Sequence, residues 1–107
     1  MKHSYETFTK KIKLDEQISI IKYFSQDLDK DIVGIYGDPK GLKSLGELLI
    51  RLSELDQKTI PDNNCPAHEG LHVHFSRSSA LHNKSLGLDI GRIDAKSNGD
   101  TFWFLNN

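Results

Sequence analysis

The pattern of apolar and polar residues is clearest between positions 32 and 55. Ile32–Tyr36 is a short apolar run rich in β-branched residues and followed by turn residues, which predicts a strand. Asp38 and Pro39 then suit the N-cap and the first position of a helix, where a carboxylate accepts free amide hydrogens and proline lacks only a donor that would go unused. Leucines at three- and four-residue steps give the predicted helix, Pro39–Leu55, one apolar stripe that packs on a sheet. They are Leu42, Leu45, Leu49 and Leu52, widened by Leu48 and Leu55.

Alternation with a period of two predicts antiparallel strands in the second half of the chain. Apolar and polar residues alternate over 71–76 and again over 86–90, and Gly91 then indicates a bulge. Asn98-Gly99 predicts a type I′ turn that leads into a further strand over 101–105. The core face of these strands should carry Val73, Phe75, Leu88, Ile90, Phe102 and Phe104. The opposite face should carry His72, His74, Asp89 and Trp103.

The first 28 residues allow two interpretations. Tyr5, Phe8 and Ile12 suit a helix face, whereas Ile12 and Leu14 suit the end of a strand, so this segment stays open. Over 16–28, apolar residues at helical spacing favour a helix, although the β-branched residues there would also suit a strand. The predicted class is α+β: an antiparallel sheet of four or five strands, the long helix on one face and a second, N-terminal helix.

Length and composition narrow the function classes. The 107 residues predict one domain over 1–107, and a net charge of −1 argues against a domain that grips a nucleic-acid backbone. The single cysteine, Cys65, allows no intrachain disulfide and fits a reducing cytoplasm. The N-terminal residues lack the apolar core of a signal peptide, and the longest apolar cluster is too short to span a bilayer.

Two groups of residues are candidates for a functional site. Asp27, Asp29 and Asp31 form an acidic run, which is either a solvated turn or a patch that meets a basic partner. His72 and His74 lie two apart on a predicted strand and point the same way, as metal ligands on β-scaffolds often do. Zinc needs further ligands, for which Cys65, His68, His82 and Asp89 are near in sequence. No recognised ligand spacing exists among them, so a polar, partner-facing surface is favoured over a metal site.

Catalytic motifs are missing from the sequence. Cys65 is followed by Pro66 and by no helix start that would lower the pKa of its thiol. The glycine-bearing turn before the helix does not match a phosphate-binding loop, and the carboxylate of Asp38 would repel a phosphate. We therefore expect no enzyme activity and no cofactor.

The order of these motifs resembles a known family. Its residues are Gly37, Asp38, Gly41, Leu42, Leu45, Leu48, Leu49 and Leu52, then His72 and His74, then Gly91, Arg92, Ile93, Asp94 and Ala95. Together they are similar to small bacterial immunity proteins encoded beside polymorphic or contact-dependent toxins, specifically the immunity protein 32 family. The resemblance covers roughly Ile32 to Ala95 and implies a non-catalytic protein that blocks the C-terminal domain of a cognate toxin, possibly a nuclease, by direct contact in the cytoplasm.

Three alternatives follow for the function. If the chain is an immunity protein, its contact surface is either the group His72, His74, Asp89 and Trp103 or the acidic run. Trp103 is then the best anchor for a partner. The leading alternative is a small metal-binding protein or metal-dependent enzyme that uses His72 and His74. The third is an adaptor that forms a homodimer through an exposed sheet edge.

Overall fold

The computed structural model describes residues 2–11, 18–75 and 85–101 of the chain. The elements follow in the order α1 (Tyr5–Lys11), β1 (Ile18–Ser25), β2 (Lys30–Gly37), α2 (Pro39–Glu54), a 3₁₀ turn (Gln57–Thr59), β3 (His72–Phe75) and β4 (Leu88–Gly91). The strands form two antiparallel sheets of two strands each, β1–β2 and β3–β4. The α+β class is therefore confirmed, whereas a single sheet of four or five strands is not. The predicted strand residues 102–105 lie outside the described residues.

The prediction of a helix over 16–28 is wrong where the structure describes that segment. Ile18–Ser25 is strand β1, and all eight of its residues pair with β2, from Ile18 opposite Gly37 to Ser25 opposite Lys30. Helical spacing and β-branched side chains conflict here, and pairing with a strand later in the chain decides the outcome. The N-terminal helix is instead α1, which buries Phe8.

Helix α2 begins where the sequence predicts. The Asp38 carboxylate accepts a hydrogen bond of 2.7 Å from the Gly41 backbone N–H, which satisfies one of the free donors of the first turn. The buried face of the helix carries Leu45, Leu48 and Leu52. The predicted stripe is wrong for Leu42 and Leu49, which are exposed, because the buried line runs through positions 45, 48, 52 and 55 and each helical residue turns about 100° from its neighbour.

The chain divides into two units. Among the described residues, unit one comprises 2–11, 49–73 and 90–101, and unit two comprises 18–48, 74–75 and 85–89. In unit one, the His3 backbone donates to Glu54 O (3.0 Å) and accepts from Asp56 N–H (2.7 Å). In unit two, Leu86 N–H donates to Ile20 O (2.8 Å) beside the β1–β2 hairpin. One domain over the whole chain stays a prediction.

The Asn98-Gly99 turn differs from its prediction. Ala95 N–H donates to Asp100 O (2.7 Å) and Gly99 N–H donates to Ala95 O (2.8 Å), so a turn closes here. Gly99 has φ +79°, but Asn98 is not among the residues with positive φ. A type I′ turn needs positive φ at both positions, so that prediction is wrong, and the turn is a longer loop that leads to a bridge between Asp94 and Thr101.

Neither of the helices in the described residues combines the length and the apolar character that crossing a membrane requires.

Two neighbouring leucines of α2 test which face is buried. Leu48 is 1% exposed and Leu49 is 46% exposed. We expect Leu48→Ala to lower the free energy of unfolding by about 3 kcal/mol, because a buried leucine leaves a cavity, whereas Leu49→Ala should cost less than about 1 kcal/mol. Urea denaturation of both variants measures the difference, and equal losses would contradict the assigned face.

Candidate functional site

The β3–β4 sheet brings three of the predicted site residues to one surface. Val73 and Phe75 are half-buried on β3, and His72 and His74, which alternate with them, face solvent as predicted. On β4, Asp89 is likewise exposed between Leu88 and Ile90. The antiparallel pairing of two short strands thus places an imidazole pair and a carboxylate side by side.

The three side chains are close enough to share one ion. The Nδ1 atom of His74 lies 3.3 Å from a carboxylate oxygen of Asp89. One ligand atom from each of His72, His74 and Asp89 lies within 4.8 Å of the others. Two imidazoles and a carboxylate suit a borderline cation such as Zn²⁺, with water in the remaining position. All three residues are exposed, so the same arrangement also serves as an ordinary polar surface.

The other predicted ligands do not join this group. His68 forms an ion pair with Glu69 (3.4 Å), while the buried Cys65 thiol is within 3.6 Å of the Pro66 and Glu69 carbonyl oxygens. Burial raises the pKa of the Cys65 thiol, which disfavours its reactive thiolate form. His82 and Trp103 lie outside the described residues, so Trp103 stays a prediction as a partner anchor.

The acidic run lies at the turn of the β1–β2 hairpin. Asp27 and Asp29 belong to the turn and Asp31 to the first part of β2, and all three are exposed. Asp29 has φ +53°, a left-handed conformation that aspartate tolerates better than most residues. The Asp31 carboxylate lies 3.7 Å from the Lys22 ammonium on the paired strand. The run is therefore a solvated turn that presents charge, which is compatible with either of its two interpretations.

The sequence analysis did not predict that the apolar residues beside this run are exposed. Phe24, Leu28 and Val33 are all more than half exposed. The prediction of a helix over 16–28 rests on the helical spacing of its apolar residues, Phe24 and Leu28 among them, and does not foresee a hairpin. The signal that could have found them is the β-branched run on both sides of the turn, which indicates a hairpin.

The Gly91–Ala95 run has a structural role. The Arg92 guanidinium donates two hydrogen bonds to the Asp94 carboxylate, of 2.8 and 2.6 Å. It also donates to the Leu52 and Leu55 carbonyl oxygens at 2.8 and 3.0 Å, at the end of α2. The Arg92 guanidinium beside Asp94 holds the pKa of that carboxyl below its usual value.

Unit one also contains a cavity of about 240 Å³ beside Arg92 and Asp94. The Lys96 ammonium at its wall donates to Ile60 O (2.9 Å) and to the Asp62 carboxylate (2.5 Å). Gln57 donates to Asp94 O (2.9 Å) and accepts from Leu71 N–H (2.7 Å). The side chains of Gln57, Arg92, Asp94 and Lys96 are thus engaged in hydrogen bonds, and these four do not form a recognised catalytic arrangement.

Comparison with known proteins agrees with the resemblance of the motifs. The family described as immunity protein 32 matches residues 32–90, more than half of the 107 residues. The match includes α2, β3 and most of β2 and β4, but it ends before the Arg92–Asp94 pair. No curated protein and no solved structure matches the chain.

The Arg92–Asp94 pair predicts a dependence of stability on pH. Since the pKa of Asp94 is lower in the folded than in the unfolded chain, the pair stabilises the fold above the unfolded pKa, and this contribution is lost as the pH falls through the folded pKa. We expect Asp94→Asn to destabilise the protein at about pH 7 and to cost less at about pH 3, which is below the unfolded pKa.

Urea denaturation at both pH values measures this effect. Asp27→Asn is the matched control, because it removes one carboxylate from an exposed turn without touching Arg92. A loss of stability in Asp94→Asn that is the same at both pH values would contradict the prediction.

Proposed function

This chain belongs to the immunity protein 32 family, and on that premise we propose that it protects a bacterial cell by binding and blocking a cognate toxin domain. The match of the family to residues 32–90 is the observation that carries the proposal. The partner is the C-terminal domain of a polymorphic or contact-dependent toxin. Protection takes place in the cytoplasm of the producing cell, where the toxin would otherwise act.

The mechanism we propose is occupation of the toxin's surface without chemistry by this chain. An inhibitor of this kind covers an active site or a substrate channel, and a standard interface of about 800 Å² per partner is enough for tight binding. If the toxin is a nuclease, its substrate-binding cleft is basic, and carboxylates of the inhibitor can take the place of the phosphates. The acidic side chains of this chain supply such groups.

Two surfaces are candidates for this contact. One is the group His72, His74 and Asp89 on the β3–β4 sheet, with Trp103 as a proposed anchor. The other is the acidic run Asp27, Asp29 and Asp31 on the β1–β2 hairpin. The exposure of the described side chains supports each surface as a candidate for toxin binding.

Co-expression tests the proposed function. We expect cells that produce the toxin domain encoded next to this gene to survive only when this chain is also produced. An unrelated immunity protein expressed at the same level is the control for specificity. Cell death that is unchanged by the presence of the folded chain would refute immunity as its function.

Metal binding is a second candidate function, favoured by the grouping of His72, His74 and Asp89. Their ligand atoms lie within 4.8 Å of one another, which suits a three-ligand zinc site with water completing the coordination. Neutral imidazoles are needed as ligands, so protons compete with the metal and its affinity should fall in acidic solution. A metal here would serve a binding protein or a metal-dependent enzyme.

Metal analysis tests this second candidate. We expect protein dialysed against Zn²⁺ to retain about one equivalent, and His72→Ala/His74→Ala to retain almost none, because two of three ligands are gone. His68→Ala is the matched control, since this exposed histidine pairs with Glu69 instead. Retention that is the same in the double variant, or no retention by the unmodified protein, would rule out this site.

A further inference from the structure

The β1–β2 hairpin exposes large apolar side chains beyond its buried base. At the base, Ile18 and Ile20 are almost fully buried. Further along, Phe24 is 56% exposed, Leu28 is 58% exposed and Val33 is 64% exposed. We call residues 22–33 the hairpin tip. Concentrated apolar exposure of this kind is typical of surfaces that bind another protein.

One face of the hairpin tip joins apolar and charged groups. Phe24 pairs with Asp31 and Lys22 pairs with Val33, and residues paired across two strands project to the same side. Phe24 and Val33 are therefore diagonal neighbours on this face. The Lys22–Asp31 ion pair, at 3.7 Å, lies on the other diagonal. The face thus has the mixture of apolar contact area and charge found in protein interfaces.

The opposite face of the hairpin carries a contact between two tyrosines, one on each strand. The hydroxyl oxygens of Tyr23 and Tyr36 lie 3.2 Å apart, and Gly34 lies beneath the two rings. A Cβ atom at Gly34 would come within 2.6 Å of Cε1 of Tyr36, so a larger residue would push the exposed Tyr36 ring out of this position. An isolated hairpin is marginally stable, and a cross-strand hydroxyl contact of this kind favours the paired strands. A preformed surface loses less conformational entropy when it binds.

The charge of the hairpin tip indicates the chemistry of its partner. The hairpin tip has three carboxylates, Asp27, Asp29 and Asp31, and two ammonium groups, Lys22 and Lys30. All five side chains are exposed, and Lys22 pairs with Asp31, so the carboxylates of Asp27 and Asp29 give the turn its negative charge. Such a surface attracts a cationic partner and speeds the encounter.

We propose that the hairpin tip is the surface that docks on the toxin, against a cationic protein surface with an apolar centre. This inference rests on the proposed function and selects one of its two candidate surfaces. Phe24, Leu28 and Val33 supply the contact area, and the aspartates supply orientation and rate of association. A second copy of the chain fits less well, because a two-fold interface at the tip would set aspartates against aspartates.

Binding kinetics with the toxin domain test this inference. The probe is the inactivated toxin domain that the co-expression experiment identifies. We expect Phe24→Ala/Val33→Ala to raise the dissociation rate at least about tenfold, because buried apolar anchors govern residence time. Asp27→Asn/Asp29→Asn should lower the association rate about tenfold at low salt, with a smaller difference at high salt. Asparagine also tolerates the left-handed backbone at position 29.

Matched controls come from helix α2. Ile50 is as exposed as Leu28, and Glu47 is an exposed carboxylate, so Ile50→Ala and Glu47→Gln should leave both rates unchanged. If the hairpin variants bind like the unmodified protein, the docking surface lies elsewhere, while immunity stands. If the unmodified protein neither binds the toxin domain nor protects the cell, the proposed function is wrong, and the inference about the hairpin tip is wrong as well. A dimer in sedimentation analysis that Phe24→Ala/Val33→Ala dissociates would assign the hairpin tip to self-association and overturn the proposal.

Discussion

The carbonyl groups at the end of helix α2 need hydrogen-bond donors, and the Arg92 guanidinium supplies them. One planar side chain donates to Leu52 O and Leu55 O and to both carboxylate oxygens of Asp94. A lysine could not satisfy this geometry, because its ammonium lacks the fixed, forked arrangement of donors. The backbone after β4 is thereby tied to the helix end, and Gln57 adds bonds from the same region to Asp94 O and Leu71 N–H. The order of unit one depends on this group of bonds.

Local signals explain what could be predicted from the sequence. Asp38 and Pro39 specify the start of α2 because capping depends on adjacent residues alone. The alternation around His72 and His74 specifies which side chains face solvent, and the added prediction of Asp89 on the same face was correct because strand pairing preserves faces. The sequence could not decide β1 in the same way, since its pairing with β2 depends on residues that follow the turn. The prediction is wrong for Leu42 and Leu49, which are exposed. The leucine stripe is wider than the buried face of the helix, and the sequence alone does not indicate which leucines of the stripe are exposed.

The buried apolar residues stabilise the fold, whereas the exposed ones on the hairpin are available for binding. Leu48, Leu55, Ile18 and Phe8 are almost inaccessible and hold their units together. Phe24, Leu28 and Val33 are kept in water, although burying side chains of this size is worth about 1.5–3 kcal/mol each. Docking of the hairpin tip on a partner, as proposed above, would remove these side chains from water. Membership of an immunity protein family supplies the kind of partner.

The single thiol of the chain has a practical consequence. Cys65 is buried in unit one, and burial raises the pKa of its thiol, which favours the unreactive protonated form. Modification of this thiol by an alkylating reagent therefore requires the surrounding loop to open first. The rate at which Cys65 is alkylated therefore reports how often unit one opens. Mass spectrometry can follow this rate without an added dye or an engineered cysteine. Slower alkylation of Cys65 in the presence of the toxin domain would show that binding also reduces the opening of unit one, which does not contain the hairpin.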